Sequence, residues 1–158
     1  MSRWRIISRN ISPLEAWRAG FRWLLAAAYG AVGLVHLLSP DGFLPILPDW
    51  VPYPRDTILF TGACEIAGAI GLLIPGLRRL AGIMLALYAV CVFPANIKHA
   101  IDAVPINGVV LNGWYHAPRL ALQPILVWWA LFCGGLVTWP FRTQKGAVSG
   151  REAPPGAR

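Results

Sequence analysis

Four apolar runs, each about as long as a bilayer crossing, alternate with short polar or proline-rich stretches, and they predict helices over 21–38, 57–74, 80–97 and 119–139. The first run follows Ser12-Pro13-Leu14-Glu15, a capping box with proline at the first helical position. Its helix is therefore expected to begin at Pro13 and to stop before Ser39-Pro40-Asp41-Gly42, with Arg18 and Arg22 anchoring its inner end. The second run ends at Pro75-Gly76, and the brief turn through Arg78 and Arg79 admits only an antiparallel neighbour. Pro94 lies near the outer end of the third run, where it frees a carbonyl one turn back and is expected to kink the helix. Pro118 opens the fourth run and Pro140 closes it.

The connecting stretches complete the organisation. Residues 39–56 hold five prolines with Phe43, Trp50 and Tyr53, a composition that reads as an ordered, non-helical loop on the outer interface. Residues 98–117 read as a second outer loop, residues 1–20 as a basic N-terminus carrying the start of an interfacial helix, and residues 140–158 as a disordered basic tail. The polar lead before the first apolar run is long and no small-x-small site follows it, so that run is expected to be an uncleaved anchor.

Within the second run stands one carboxylate, Glu65. An ionisable group at such a depth costs about 2.5 to 3.5 kcal/mol on insertion scales unless paired, so it is expected to face protein. At helical spacing Glu65 shares a stripe with Thr61, Gly62, Gly68, Ala69 and Leu72, while Leu59, Phe60, Ile66, Ile70 and Leu73 lie opposite. The small, weakly polar stripe should face neighbouring helices and the bulky one lipid.

Composition agrees with this pattern: 56% of the 158 residues are hydrophobic, 13% are charged, and the mean hydropathy is positive. The net charge of +7 would point to nucleic acid in a soluble domain, but the cations here sort by loop. Arg3, Arg5, Arg9, Arg18, Arg22, Arg78, Arg79, Arg142, Lys145, Arg151 and Arg158 fall on one side, and Arg55, Lys98 and Arg119 on the other. That asymmetry predicts an all-α, four-helix transmembrane bundle with both termini cytoplasmic and without nucleic-acid partners. Cys64, Cys91 and Cys133 all fall in predicted spans without metal-ligand spacing, and are expected as buried free thiols.

Ranking polar residues by depth gathers them in the outer half. Counting 1.5 Å per residue, Glu65 lies about 13 Å in, with Gln123 about 7 Å and His36 about 6 Å from the outer ends of their runs. Asn96, Lys98, His99 and Arg119 crowd the rim. The expectation is a ligand-binding pocket of His36, Glu65, Asn96, Arg119 and Gln123, open or openable to the outer side, with Glu65 as floor and proton holder. Arg119 is the candidate counter-ion, with His36 or Gln123 bridging if it falls short. The plainer readings are an interhelical hydrogen bond for Glu65, a satisfied core histidine for His36 and an interfacial anchor for Arg119. No phosphate-binding glycine loop, zinc spacing or Ser-His-Asp arrangement is present in the sequence.

These residues resemble the DoxX family of small membrane proteins. The likeness rests on Gly33-x-x-His36, Pro48 and Pro52, Thr61-Gly62-x-x-Glu65 and Leu72-Leu73-x-Pro75 before Arg78-Arg79. It continues through Val92-Phe93-Pro94-Ala95-Asn96 and Arg119-x-x-x-Gln123. Leu37 and Ala121 depart from the residues many members carry there, an aromatic and a proline. The resemblance implies a four-helix bundle in the bacterial cytoplasmic membrane, sometimes tied to redox partners, the DoxD relatives belonging to a thiosulfate to quinone oxidoreductase. On both grounds the expected function is an accessory or quinone-interacting subunit of a membrane redox system, with electrons supplied by a partner enzyme and with a quinone head group or a similar small polar molecule as the ligand. The alternative is a non-enzymatic assembly factor or chaperone for a redox protein. Homo-oligomerisation is a further expectation, and small-solute transport would require it.

Overall fold

The computed structural model describes residues 12–102 and 112–140. The expectations for the N-terminal segment before Ser12, for residues 103–111 of the second outer loop and for the tail beyond Pro140 lie outside these residues. Among the described residues the fold is all-helical, with no strand: α1 Pro13–Leu38, a 3-10 helix η1 Pro40–Ile46, α2 Pro54–Leu73, α3 Arg78–Ile101 and α4 Gly113–Cys133. Three of these, α1, α2 and α3, are long and apolar enough to cross a membrane. In α4 the first three turns carry His116, Arg119 and Gln123, which dilute an otherwise apolar helix.

Helix α1 begins where its capping box sits: Ser12 accepts from the Glu15 amide and Pro13 takes the first turn. Several boundaries differ from the sequence expectation: α4 ends at Cys133 and not near Trp139, and α2 and α3 reach into the expected loops, from Pro54 and to Ile101. Helix α4 starts at Gly113 rather than near Pro118, its first turn closing on the Asn112 carbonyl, so Pro118 and Pro124 both lie inside the helix. Proline costs less near a helix end, because the Trp114 carbonyl that loses its donor lies in the outermost turn. The stretch expected to be non-helical contains η1, in which Pro40 occupies the first turn, where a missing amide hydrogen is harmless. Helix α3 is continuous through Pro94.

The helices pair as two hairpins, α1 on α2 and α3 on α4, and the hairpins meet chiefly through α2 and α3. Close approach is made by missing side chains. A Cβ on Gly62 would stand 2.8 Å from His36 Cβ and 2.9 Å from the Gly33 carbonyl, and one on Gly82 would stand 2.7 Å from the Ala130 carbonyl. Both crossings are therefore backbone-to-backbone, as small residues allow in apolar surroundings. The core comprises Leu25, Tyr29, Ala69, Leu72, Leu85, Ala86, Ala130 and Cys133. Large apolar side chains such as Phe60, Ile70, Leu80, Leu87 and Val90 point outward, which suits a lipid environment and not water. Trp50, Trp114 and Trp139 are exposed at or beyond helix ends, and Trp23 is exposed about three turns into α1.

Two expectations about side chains are corrected. Only Cys133 is buried; Cys64 is half-buried and Cys91 exposed, because an apolar span has a lipid side as well as a core side and hydropathy does not separate them. Arg18 and Arg22, expected to anchor the inner end of α1 at the interface, instead face protein. Arg22 is buried, pairs with Glu15 and donates to the Cys133 carbonyl at 3.4 Å, while Arg18 donates to the Val137 carbonyl at 2.9 Å. Arg78 adds a third cation, 3.8 Å from Glu15. This group ties α1 to α3 and to the carbonyls at the end of α4, where the helix leaves its last acceptors unmatched. Arg22→Leu is expected to lower stability by about 1 to 3 kcal/mol, by orphaning those acceptors. Thermal unfolding in detergent measures this, and an unchanged midpoint would remove the group from any account of stability.

Candidate functional site

The stripe on α2 places Glu65 inward: Gly62, Glu65, Gly68, Ala69 and Leu72 are all buried. Because Gly33 and Gly62 let α1 and α2 touch, His36, one turn after Gly33, comes within reach of the carboxylate, and its Nδ1 lies 2.6 Å from Glu65 Oε2. From the other side Tyr88 of α3 donates its hydroxyl to Glu65 Oε1 at 2.8 Å. Both carboxylate oxygens thus accept a hydrogen bond within a site that is almost closed to solvent. Tyr29 packs edge-on against Tyr88, with ring centroids 6.0 Å apart, and Phe43 of η1 lies 4.2 Å from the His36 ring centroid.

A second polar group lies further toward the outer end. Gln123 of α4 donates to the Ala89 carbonyl at 2.5 Å and accepts from Asn96 Nδ2 at 3.2 Å. Arg119, one turn before Gln123, donates to His99 Nδ1 at 2.6 Å and lies over the ring of Tyr115, 5.9 Å from its centroid. This contact makes His99 an acceptor on Nδ1 and assigns its ring proton to Nε2.

One cavity of about 760 Å³ joins the two groups. His36, Glu65, Asn96, Arg119 and Gln123 all line it, together with Tyr29 and Tyr88 and a larger apolar wall that includes Leu25, Val32, Val35, Leu122 and Leu126. This is the form of a small-molecule site: mostly apolar, with a few convergent polar groups. Among the described residues there is no cluster of His, Cys, Asp and Glu able to hold a metal ion.

The structure departs from the sequence reading at two points. Arg119 is not the counter-ion of Glu65, since its guanidinium engages His99 and Tyr115 while His36 and Tyr88 take the carboxylate. The outer end of the cavity, expected to be open or openable, is also covered by a segment expected only as an interfacial loop. Phe43, Ile46 and Leu47 close it, and this segment is held by Lys98, which donates to the Leu47 carbonyl at 2.7 Å and pairs with Asp49 at 2.6 Å. Sequence reasoning missed Tyr88 altogether. The available signal was a phenol near the middle of an apolar helix, whose hydroxyl needs a partner where no water reaches.

Comparison with known proteins replaces the DoxX resemblance. The family that matches is described as a domain of unknown function, DUF8561, and it covers residues 25–134, well over half of the chain. The motifs behind the DoxX likeness are general devices of small membrane bundles: glycine crossings, a buried acid and a basic turn after proline. No curated protein and no solved structure matches the chain. The matched segment begins at Leu25 and ends at Gly134, so it contains every helix-borne residue of the cavity, and the chain belongs to the DUF8561 family.

Proposed function

We propose that the protein is a quinone-interacting accessory subunit of a membrane redox system, with α4 crossing the bilayer beside the other three helices and both termini in the cytoplasm. The orientation rests on the cationic bias of the inner loops and tails. The ligand reading rests on one observation: a buried carboxylate whose histidine partner lines a mostly apolar cavity with one ring nitrogen already committed. With Nδ1 turned to Glu65, Nε2 is the atom of His36 left to meet a ligand oxygen.

The residues fit a quinone head in size and in chemistry. A cavity of about 760 Å³ is ample for a substituted ring, and its polar groups flank an apolar wall, matching a flat ring with oxygens at opposite edges. Gln123, Asn96 and Arg119 supply donors on one side and His36 a donor or acceptor on the other. A proton leaving a quinol hydroxyl would be taken at His36 Nε2 while the Nδ1 proton shifts toward Glu65, so the pair moves one proton without a charge being left alone in the bilayer. Tyr88 holds the second carboxylate oxygen and fixes its orientation. The redox partner carries the electrons.

Equilibrium binding tests this reading. In nanodiscs, a tail-less dimethoxy-methyl-benzoquinone is expected to quench tryptophan fluorescence saturably. A His36→Ala/Gln123→Ala variant should bind at least tenfold more weakly, a loss of about 1.4 kcal/mol or more. Quenching that rises linearly and equally in both proteins would overturn the proposal and favour a role in assembly.

A further inference from the structure

The cavity is closed at its outer end and open at its side. On α1, the residues lining it include Ala28, Ala31, Val32 and Val35, spaced at helical intervals, and all four are exposed. On α4, Tyr115, Pro118 and Leu122 line it and are also exposed. The same residues thus belong both to the inner wall and to the outer surface, which places a gap between α1 and α4. At the other end these two helices are joined, by Phe21 edge-on to Trp129 and Phe132 and by Arg18 over the Phe132 ring. The helices touch at the inner end and part toward the outer half, where the cavity lies.

The chemistry of the rim tells what the gap faces. Alanine, valine, proline and leucine border it, with Tyr115 near its outer end, whereas a water-filled mouth would carry charged side chains. Of the charged groups at this end, Asp41, Asp49, Arg55 and Lys98 belong to the covering segment and its fastenings, Arg55 pairing with Asp41 at 3.1 Å and Lys98 with Asp49, and Arg119 is half-buried and turned to His99 and Tyr115. An apolar rim on a helix pair of this hydropathy opens onto acyl chains.

We infer that the cavity is filled sideways from the bilayer, through the gap between α1 and α4, by a single-chain amphiphile whose head lodges beneath η1 and whose tail stays among the lipids. This rests on the reading of the cavity as a quinone-head site and adds the route and the tail. The volume agrees: about 760 Å³ lies within the range that encloses a drug-sized molecule, enough for a head and the start of one chain. The head would have His36 and Glu65 on one side and Gln123 and Arg119 on the other, with the chain leaving past Val32 and Leu122.

Two measurements on the full-length protein in nanodiscs test the route. A benzoquinone bearing a ten-carbon tail with a terminal diazirine should, on irradiation, label α1 between Ala28 and Val35 and α4 between Pro118 and Leu126. Excess unlabelled decyl-tailed quinone should suppress that labelling at least fivefold. Competed labelling on Phe43 to Leu47 instead would mean loading from the outer surface, overturning the lateral route while leaving the ligand reading intact. Labelling spread over all lipid-facing helices and not competed would overturn both. Second, narrowing the gap with Ala31→Phe/Leu122→Phe should slow both association and dissociation of the decyl-tailed quinone about tenfold, because a gate is crossed in each direction. The melting temperature reports whether the variant is folded. Faster dissociation alone, or unchanged rates in the folded variant, would overturn the route.

Discussion

Glu65→Gln is expected to give a folded protein that has lost quinone-linked activity. Glutamine keeps the length and the acceptor for Tyr88, and its amide can donate to His36 Nδ1 once the imidazole proton moves to Nε2. Every hydrogen bond in the cluster can therefore be remade, and the cost in stability should stay below about 1 kcal/mol. What cannot be remade is the carboxylate as the place where the proton goes. His36 would be held with its proton already on the cavity side, unable to accept another without an unpaired charge, so turnover in the host complex should fall about 10² to 10⁴-fold, the usual span for loss of a general base. Glu65→Leu makes the contrast: the Tyr88 hydroxyl and the His36 ring lose their acceptor in a buried site, which costs about 1 to 3 kcal/mol. Activity and thermal midpoint measured together separate the roles. If Glu65→Gln retains full quinone-linked activity, the proton role is wrong; if it fails to fold, the carboxylate is structural.

The second large effect is expected at Gly62. Gly62→Val would drive a branched side chain into His36 Cβ and the Gly33 carbonyl, one of them backbone, at a crossing with no slack. The two hairpin helices must then separate, at a cost near or above the ~3 kcal/mol end of overpacking penalties. Separation also carries His36 away from Glu65, so folded protein that survives should bind the quinone head at least tenfold more weakly. Gly30→Ala is the control: a Cβ there meets nothing within 4 Å, and alanine is the better helix former. Monodispersity on size exclusion and melting temperature read the outcome. A Gly62→Val protein as stable as the parent would show that the crossing can relax.

Much of this site was legible in the amino-acid sequence, for a reason that particular residues make plain. The stripe of Thr61, Gly62, Glu65, Gly68, Ala69 and Leu72 stands out because helical periodicity alone separates its small and polar members from the bulky ones opposite. Depth counting brought His36, Asn96, Arg119 and Gln123 near one level, and all line one cavity with Glu65. Depth says nothing of rotation about the helix axis, however. That is why Arg119 was paired with Glu65 on paper although it turns to His99, and why Tyr88, from a helix with no other polar residue near it, was overlooked. The covering helix η1 was hidden by its prolines, which a short 3-10 segment tolerates at its start. The cysteines were misjudged because core and lipid are equally apolar, so burial in this protein is a matter of azimuth and not of hydropathy.

The arginine group around Glu15 gives the molecule the mechanics of tweezers. It fastens α1 to the ends of α3 and α4, and just above it Gly68 fits against Leu85 and Gly71 against Ala81, so the two hairpins share a fulcrum at this end, while Tyr88 on Glu65 and, at the far end, Lys98 on Leu47 and Asp49 link them by side chains. With arms of about 30 Å, from 20 residues at 1.5 Å each, one degree of rotation at that fulcrum moves the far tips by about 0.5 Å. The spacing between the jaws is thus set in part from the opposite end of the helices, by a joint made of one acid and three bases that lines no part of the cavity.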